Sequence, residues 1–180
     1  MDNVFLRAMD KLYLACIWIA GTAIFFMSLI IPWGVFTRYV LGTGSAWPEP
    51  IAILLMMSFT FIGAAAAYRA GAHIAVAMFT DRLPLSLKRS GEVLVHLLML
   101  LVSGFVVFYG TRLCVETMNQ TISELTWLPV GVTYAAIPIG SAITILFVLE
   151  HLVFGSQANR AIVRFDEQGA AHPDAVEGVL

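Results

Sequence analysis

The residues able to do chemistry in this chain are few, and their spacing limits what chemistry that can be. Glu49 opens an apolar run, Arg69 closes it, and His73 follows one helical turn later. Read as an acid and a base flanking one helix, Glu49 and His73 would stand about 30 Å apart, too far to serve one reaction centre. Two further histidines, His96 and His151, fall near the same ends of later apolar runs. That placement is compatible with axial ligation of a b-type haem between helices, which keeps a haem- or quinone-associated redox anchor open as an alternative. Arg38 and Glu49 are separated by a short loop and form a possible ion pair. Arg69 and His73 are placed to meet helix-end carbonyls or lipid phosphate. The sequence holds no nucleophile–base–orienter set, no glycine-rich phosphate loop and no Cys/His metal spacing, so enzymatic function is not expected. No catalytic, cofactor-binding or metal-ligating residue is assigned.

The elements that must position these residues are membrane helices. The chain has 180 residues, of which 59% are hydrophobic and only 12% charged, against about a quarter charged in soluble domains. Four segments, 12–37, 50–68, 93–111 and 125–149, contain no Asp, Glu, Lys or Arg. Each reaches the roughly 18 apolar residues needed to cross a hydrocarbon layer. Backbone groups in lipid must be satisfied within the segment, so each is expected to be a helix. The expected fold is an all-α integral membrane protein with four spans at about 12–37, 48–69, 91–111 and 129–151. An interfacial connector joins spans two and three, and residues 155–180 form a disordered tail after a membrane domain at 1–154.

Arg7 and Lys11 precede an apolar run longer than the ~7–15 residues of a signal-peptide core, which favours a retained first span. Of the ten Lys and Arg, Arg38 and Arg112 fall on one side and the other eight on the opposite side. The positive-inside rule then puts both termini in the cytoplasm. Cys16 and Cys114 fall toward opposite faces and are not expected to pair. A net charge of −2 supplies no basic field for nucleic acid.

Local signals refine the spans. Pro32 is expected to kink span one, and Trp33 and Tyr39 sit where amphipathic rings prefer the headgroup level. Span two opens on Trp47-Pro48-Glu49-Pro50, since a first helical turn tolerates proline and its dipole favours an acid. Its far end, Gly63-Ala64-Ala65-Ala66-Ala67, is a small-residue face suited to close helix packing. Arg38, Arg69, Glu92 and Glu150 all fall at span ends, where the plain expectation is a solvated or snorkelling side chain.

Taken together, "FTRYVLGTGSAWPEP", "FIGAAAAYRAGAHIAVAMFTDRLP" and "YAAIPIG" resemble the small membrane subunit of tripartite ATP-independent periplasmic (TRAP) transporters, the DctQ-like family. The resemblance covers most of residues 12–151 and rests on the order of Arg38-Tyr39, Trp47, Glu49, Gly63-Ala64, Arg69, His73-Ile74 and Leu83-Pro84, followed by Tyr134, Pro138 and Gly140. The chain departs from that pattern at Pro50 and Ala77, where the family often has acids. The resemblance implies an inner-membrane location in a bacterium or archaeon, a large multi-span permease partner and a periplasmic solute-binding protein. It further implies sodium-driven uptake of an organic acid such as a dicarboxylate, with the sodium held by the large subunit and no cofactor in this chain. Arg38, Trp47, Glu49, Gly63, Ala64, Ala67, Arg69 and His73 are then candidates for the subunit interface or membrane boundary.

Overall fold

The computed structural model describes residues 4–71, 85–123 and 125–155. Helix α1 (Val4–Tyr39) is followed by α2 (Pro48–Arg69), α3 (Leu85–Thr117), a two-stranded hairpin of β1 (Thr121–Ile122) and β2 (Leu125–Pro129), a short α4 (Val130–Tyr134) and α5 (Ala136–Phe154). Four helical stretches are long and apolar enough to cross a membrane. The expectation of an all-α, four-span protein is met. The connector and the tail lie outside the described residues.

Helix α1 begins well before the expected first span at about 12–37. Its 36 residues run without a break from Val4 through Pro32 to Tyr39, about 54 Å of helix against a hydrocarbon core of about 30 Å. The segment between the expected spans at about 91–111 and 129–151 also carries regular structure. Helix α3 extends to Thr117, and β1 pairs antiparallel with β2, with Ile122 opposite Leu125. Span four divides at Ala135 because Pro138 has no N–H to give to the carbonyl of Tyr134.

The extensive helix contacts run α1 to α2, α2 to α5 and α5 to α3, which places the helices as a row with α2 and α5 inside it. Close approaches make this row possible. A Cβ added at Gly140 would lie 2.6 Å from the backbone carbon of Phe61, so α5 touches α2 backbone to backbone. One added at Gly110 would lie 3.3 Å from Pro138 on α5, and one at Gly34 3.0 Å from Pro48 on α2. Helices in lipid gain little from excluding water, so such packing and interhelical hydrogen bonds supply their association.

Burial is concentrated at one end of the row. Met9, Tyr13 and Cys16 of α1 pack with Ile62, Ala65, Ala66 and Tyr68 of α2 and with Phe147 and Val148 of α5, flanked by Met99 and Leu100 of α3. The buried α1 positions 9, 13, 16, 20 and 23 recur at three- and four-residue steps, one face of a helix. The outward faces carry Trp18, Phe25, Leu101, Phe105 and Phe108, all exposed. An apolar surface of that extent matches a lipid environment. Both cysteines are free.

Candidate functional site

Among the described residues, three mid-depth hydroxyls satisfy themselves within their own helices. Ser28, Ser58 and Thr144 each donate to the carbonyl four residues earlier, at 2.9, 2.9 and 3.0 Å. The polar groups that join helices sit at the two ends of the row.

At one end the last residue of α2, Arg69, is turned inward. Its Nε donates to Glu150 Oε2 at 2.8 Å and its Nη2 donates to Glu150 Oε1 at 2.7 Å. The same Nη2 donates to Asp10 Oδ1 at 2.7 Å. The side chains of Arg69, Asp10 and Glu150 are 1%, 6% and 0% exposed. The guanidinium carbon also lies 5.4 Å from the ring centres of both Tyr13 and Phe147, within cation–π range of each. A planar fork meeting one carboxylate with two parallel bonds is the geometry arginine supplies and lysine does not.

This arrangement corrects the placement of Arg69 and Glu150 as solvated helix-end residues. Three helices converge on the arginine because Ala65 and Ala66, one turn before it, let α1 and α5 approach closely enough for the carboxylates to reach it. Asp10 was missed as a partner. The signal that could have found it is its place beside Met9 and Tyr13 on the buried stripe of α1, where it interrupts bulky apolar residues with an acid.

Next to the triad, Tyr68 bonds through its hydroxyl to His96 Nδ1 at 2.8 Å. The rings of His96 and His151 are 4.2 Å apart at their centres, in direct contact. Axial imidazoles must stand on opposite faces of a haem, and rings that touch leave no gap for the macrocycle, so this pair does not fit bis-histidine ligation. The triad joins α1, α2 and α5, while the Tyr68–His96–His151 cluster joins α2, α3 and α5. Among the described residues no group of three His, Cys, Asp or Glu side chains is placed to hold a metal ion.

The opposite end is open. Thr37 Oγ1 donates to the carbonyl of Gly34 at 3.0 Å and lies 3.1 Å from Ser45 Oγ, closing the turn between α1 and α2. Arg38, Trp47 and Glu49 are exposed around that turn. The possible Arg38–Glu49 ion pair is not formed, and among the described residues neither side chain has a hydrogen-bonding partner. Both instead line two adjoining clefts of about 420 and 480 Å³.

The small-residue run of α2 divides between two surroundings. Ala65 and Ala66 are buried within the chain, and Gly63 faces Ala20 of α1, an added Cβ lying 3.6 Å from that methyl. Ala64 and Ala67 are exposed. His73 lies outside the described residues.

A family model described as tripartite ATP-independent periplasmic transporters, DctQ component, matches residues 27–157. The match includes Arg38, Glu49, Arg69 and Glu150 and begins after Asp10. Among curated proteins, the sialic acid TRAP transporter small permease protein SiaQ of Vibrio cholerae serotype O1 is 24% identical over 125 residues, covering 68% of this chain and 70% of that protein. A protein of Haemophilus influenzae named as a TRAP transporter small permease is 23% identical over 130 residues, covering 71% and 78%.

Proposed function

The chain belongs to the DctQ component family of tripartite ATP-independent periplasmic transporters, and from that premise we propose that its four helices form a rigid brace for a large permease subunit. The family is one of transporter permease subunits, and the four apolar helices make this chain a multi-pass membrane protein. The observation that carries the bracing role is the contrast between self-satisfied hydroxyls at mid-depth and a buried ion triad at one end. Moving solute or ion sites need polar groups at the bilayer midplane, where they are costly and therefore diagnostic. The charged groups that this chain buries, Asp10, Arg69 and Glu150, hold its own helices together.

On this reading the large subunit carries the solute and sodium sites, and a periplasmic solute-binding protein delivers the substrate. Uptake is sodium-driven and the substrate is a small organic acid bearing a carboxylate, such as a dicarboxylate. A relative's name includes sialic acid, which is also a carboxylate. The bias of Lys and Arg orients both termini to the cytoplasm of an inner membrane, with Arg38 and Glu49 toward the periplasm.

The exposed Ala64 and Ala67 are the surface where a partner helix packs closely. Replacing either with Leu leaves the purified chain folded and abolishes both assembly and uptake. Two measurements test this. Tagged chain is extracted from native membranes in mild detergent, and its companions are identified by intact mass. Sodium-dependent uptake is then compared in proteoliposomes of the wild-type and Ala67→Leu complexes. A chain that purifies without a large apolar partner, or a leucine variant with normal uptake, rejects the proposal.

A further inference from the structure

The open end of the row has the features of a lipid site. We propose that the junction of its two clefts binds one phospholipid with a primary-ammonium headgroup, an ethanolamine phospholipid, with the phosphate at Arg38 and the ammonium at Glu49. The site lies wholly within this chain and does not depend on the bracing role.

Charge complementarity is the first argument. Arg38 and Glu49 are exposed, line both clefts and have no partner among the described residues. A guanidinium forks onto phosphate oxygens, and a carboxylate accepts from an ammonium, so one zwitterion satisfies both groups at once. A glycerol headgroup would leave Glu49 facing a phosphate with no cation between them. A choline headgroup carries its cation but has no N–H to donate to Glu49.

Length is the second argument. The larger cleft descends between α1 and α2 from Arg38 and Glu49 past Ile31 and Ile53 to Met27 and Met56. Met27 and Arg38 are eleven residues apart, about 16 Å along a helix. Half of a hydrocarbon core of about 30 Å is about 15 Å. The groove therefore runs from headgroup level to the midplane, the reach of one leaflet's acyl chain. Gly34, packed against Pro48, narrows it where the helices meet.

A third observation comes from the opposite wall. Thr133, only 5% exposed, lines the smaller cleft beside Arg38, Glu49 and Tyr134, and its buried hydroxyl has no partner among the described residues. Trp33, Tyr39 and Trp47 are exposed around the same end, where aromatic rings mark the headgroup level.

The test uses the full chain with whatever native partners co-purify, stripped of lipid in mild detergent. It is titrated by native mass spectrometry with ethanolamine, choline and glycerol phospholipids of identical acyl chains. The wild type is expected to retain the ethanolamine lipid about tenfold better than the glycerol lipid, a difference of about 1.4 kcal/mol. Glu49→Gln brings the ethanolamine lipid down to the level of the choline lipid, while Glu49→Asp keeps the preference. Arg38→Gln weakens all three lipids by a similar factor, and Arg112→Gln changes none. Equal retention of the three lipids, or an ethanolamine preference that survives Glu49→Gln, overturns the proposal. So does a crosslinked partner helix seated between Ile31 and Ile53 in a complex that binds no lipid. Arg38 and Glu49 are exposed, so unchanged melting of both variants is the control for folding.

Discussion

The two ends of this helix row hold similar residues in opposite states. At one end an arginine meets two acids, and all three are buried; at the other an arginine and an acid lie along the same clefts and do not pair. The difference follows from what surrounds them. Arg69 follows a run of alanines that lets two other helices close over it, so its charge leaves water and must be matched within the protein. Arg38 lies at the end of α1, an outer helix of the row whose extensive contacts are with α2, and Trp33, Val35 and Phe36 beside it are exposed. A charge thus becomes structural or available according to how many helices close over it.

Replacing Arg69 with Met should break this contrast most severely, because it leaves two carboxylates buried without their cation. The expected loss is about 3–5 kcal/mol, seen as a large fall in melting temperature of the detergent-solubilised chain and as loss of the protein from membranes. A triple replacement of Asp10, Arg69 and Glu150 by apolar residues of similar size should recover much of that stability, since the attraction within a buried ion group is offset by desolvation. Failure to recover would mean that the triad adds net stability and does more than specify how α1, α2 and α5 meet.

Glu150→Gln is expected to come next, at about 2 kcal/mol. It keeps the shape but exchanges a charge-assisted pair of bonds for weaker ones. Asp10→Asn, which weakens the one bond seen from Arg69, should cost less in the same melting assay. The reverse order would identify α1 as the helix that the triad secures.

Tyr68→Phe removes the hydroxyl that bonds His96 and should cost about 1 kcal/mol. Exchange of α3 backbone amides should rise near His96 while α1 stays protected. A uniform rise in both helices would show that the two clusters form a single unit. The smallest effect belongs to Arg38→Gln, expected within about 0.5 kcal/mol of wild type, because an exposed and unpaired charge contributes little to folding. A loss comparable with that at Arg69 would show that the open end is closed by a bond the present contacts do not include.

Much of the architecture was legible in the amino-acid order. Charge-free runs longer than a hydrocarbon layer is thick can only be spanning helices, and the order of Arg38-Tyr39, Trp47, Glu49, Arg69, Pro138 and Gly140 was enough to suggest the family that the match over residues 27–157 bears out. Gly140 also had a readable purpose, since a glycine within an apolar helix marks a close approach, and the backbone of Phe61 is what approaches. The hairpin after α3 was not legible, because strand pairing over so few residues leaves no alternation to read.

What the sequence determined by itself was therefore the solvent: which segments sit in lipid, and that charge is confined to their ends. Whether a charge at an end faces water or another helix was decided only by the tertiary structure. Asp10, Arg69 and Glu150 are far apart in the chain, and nothing in their spacing brings them together. Three helix ends had to converge before the cost of removing each charge from water could be offset by the others. That cost depends on distances between helices, a quantity no single segment contains.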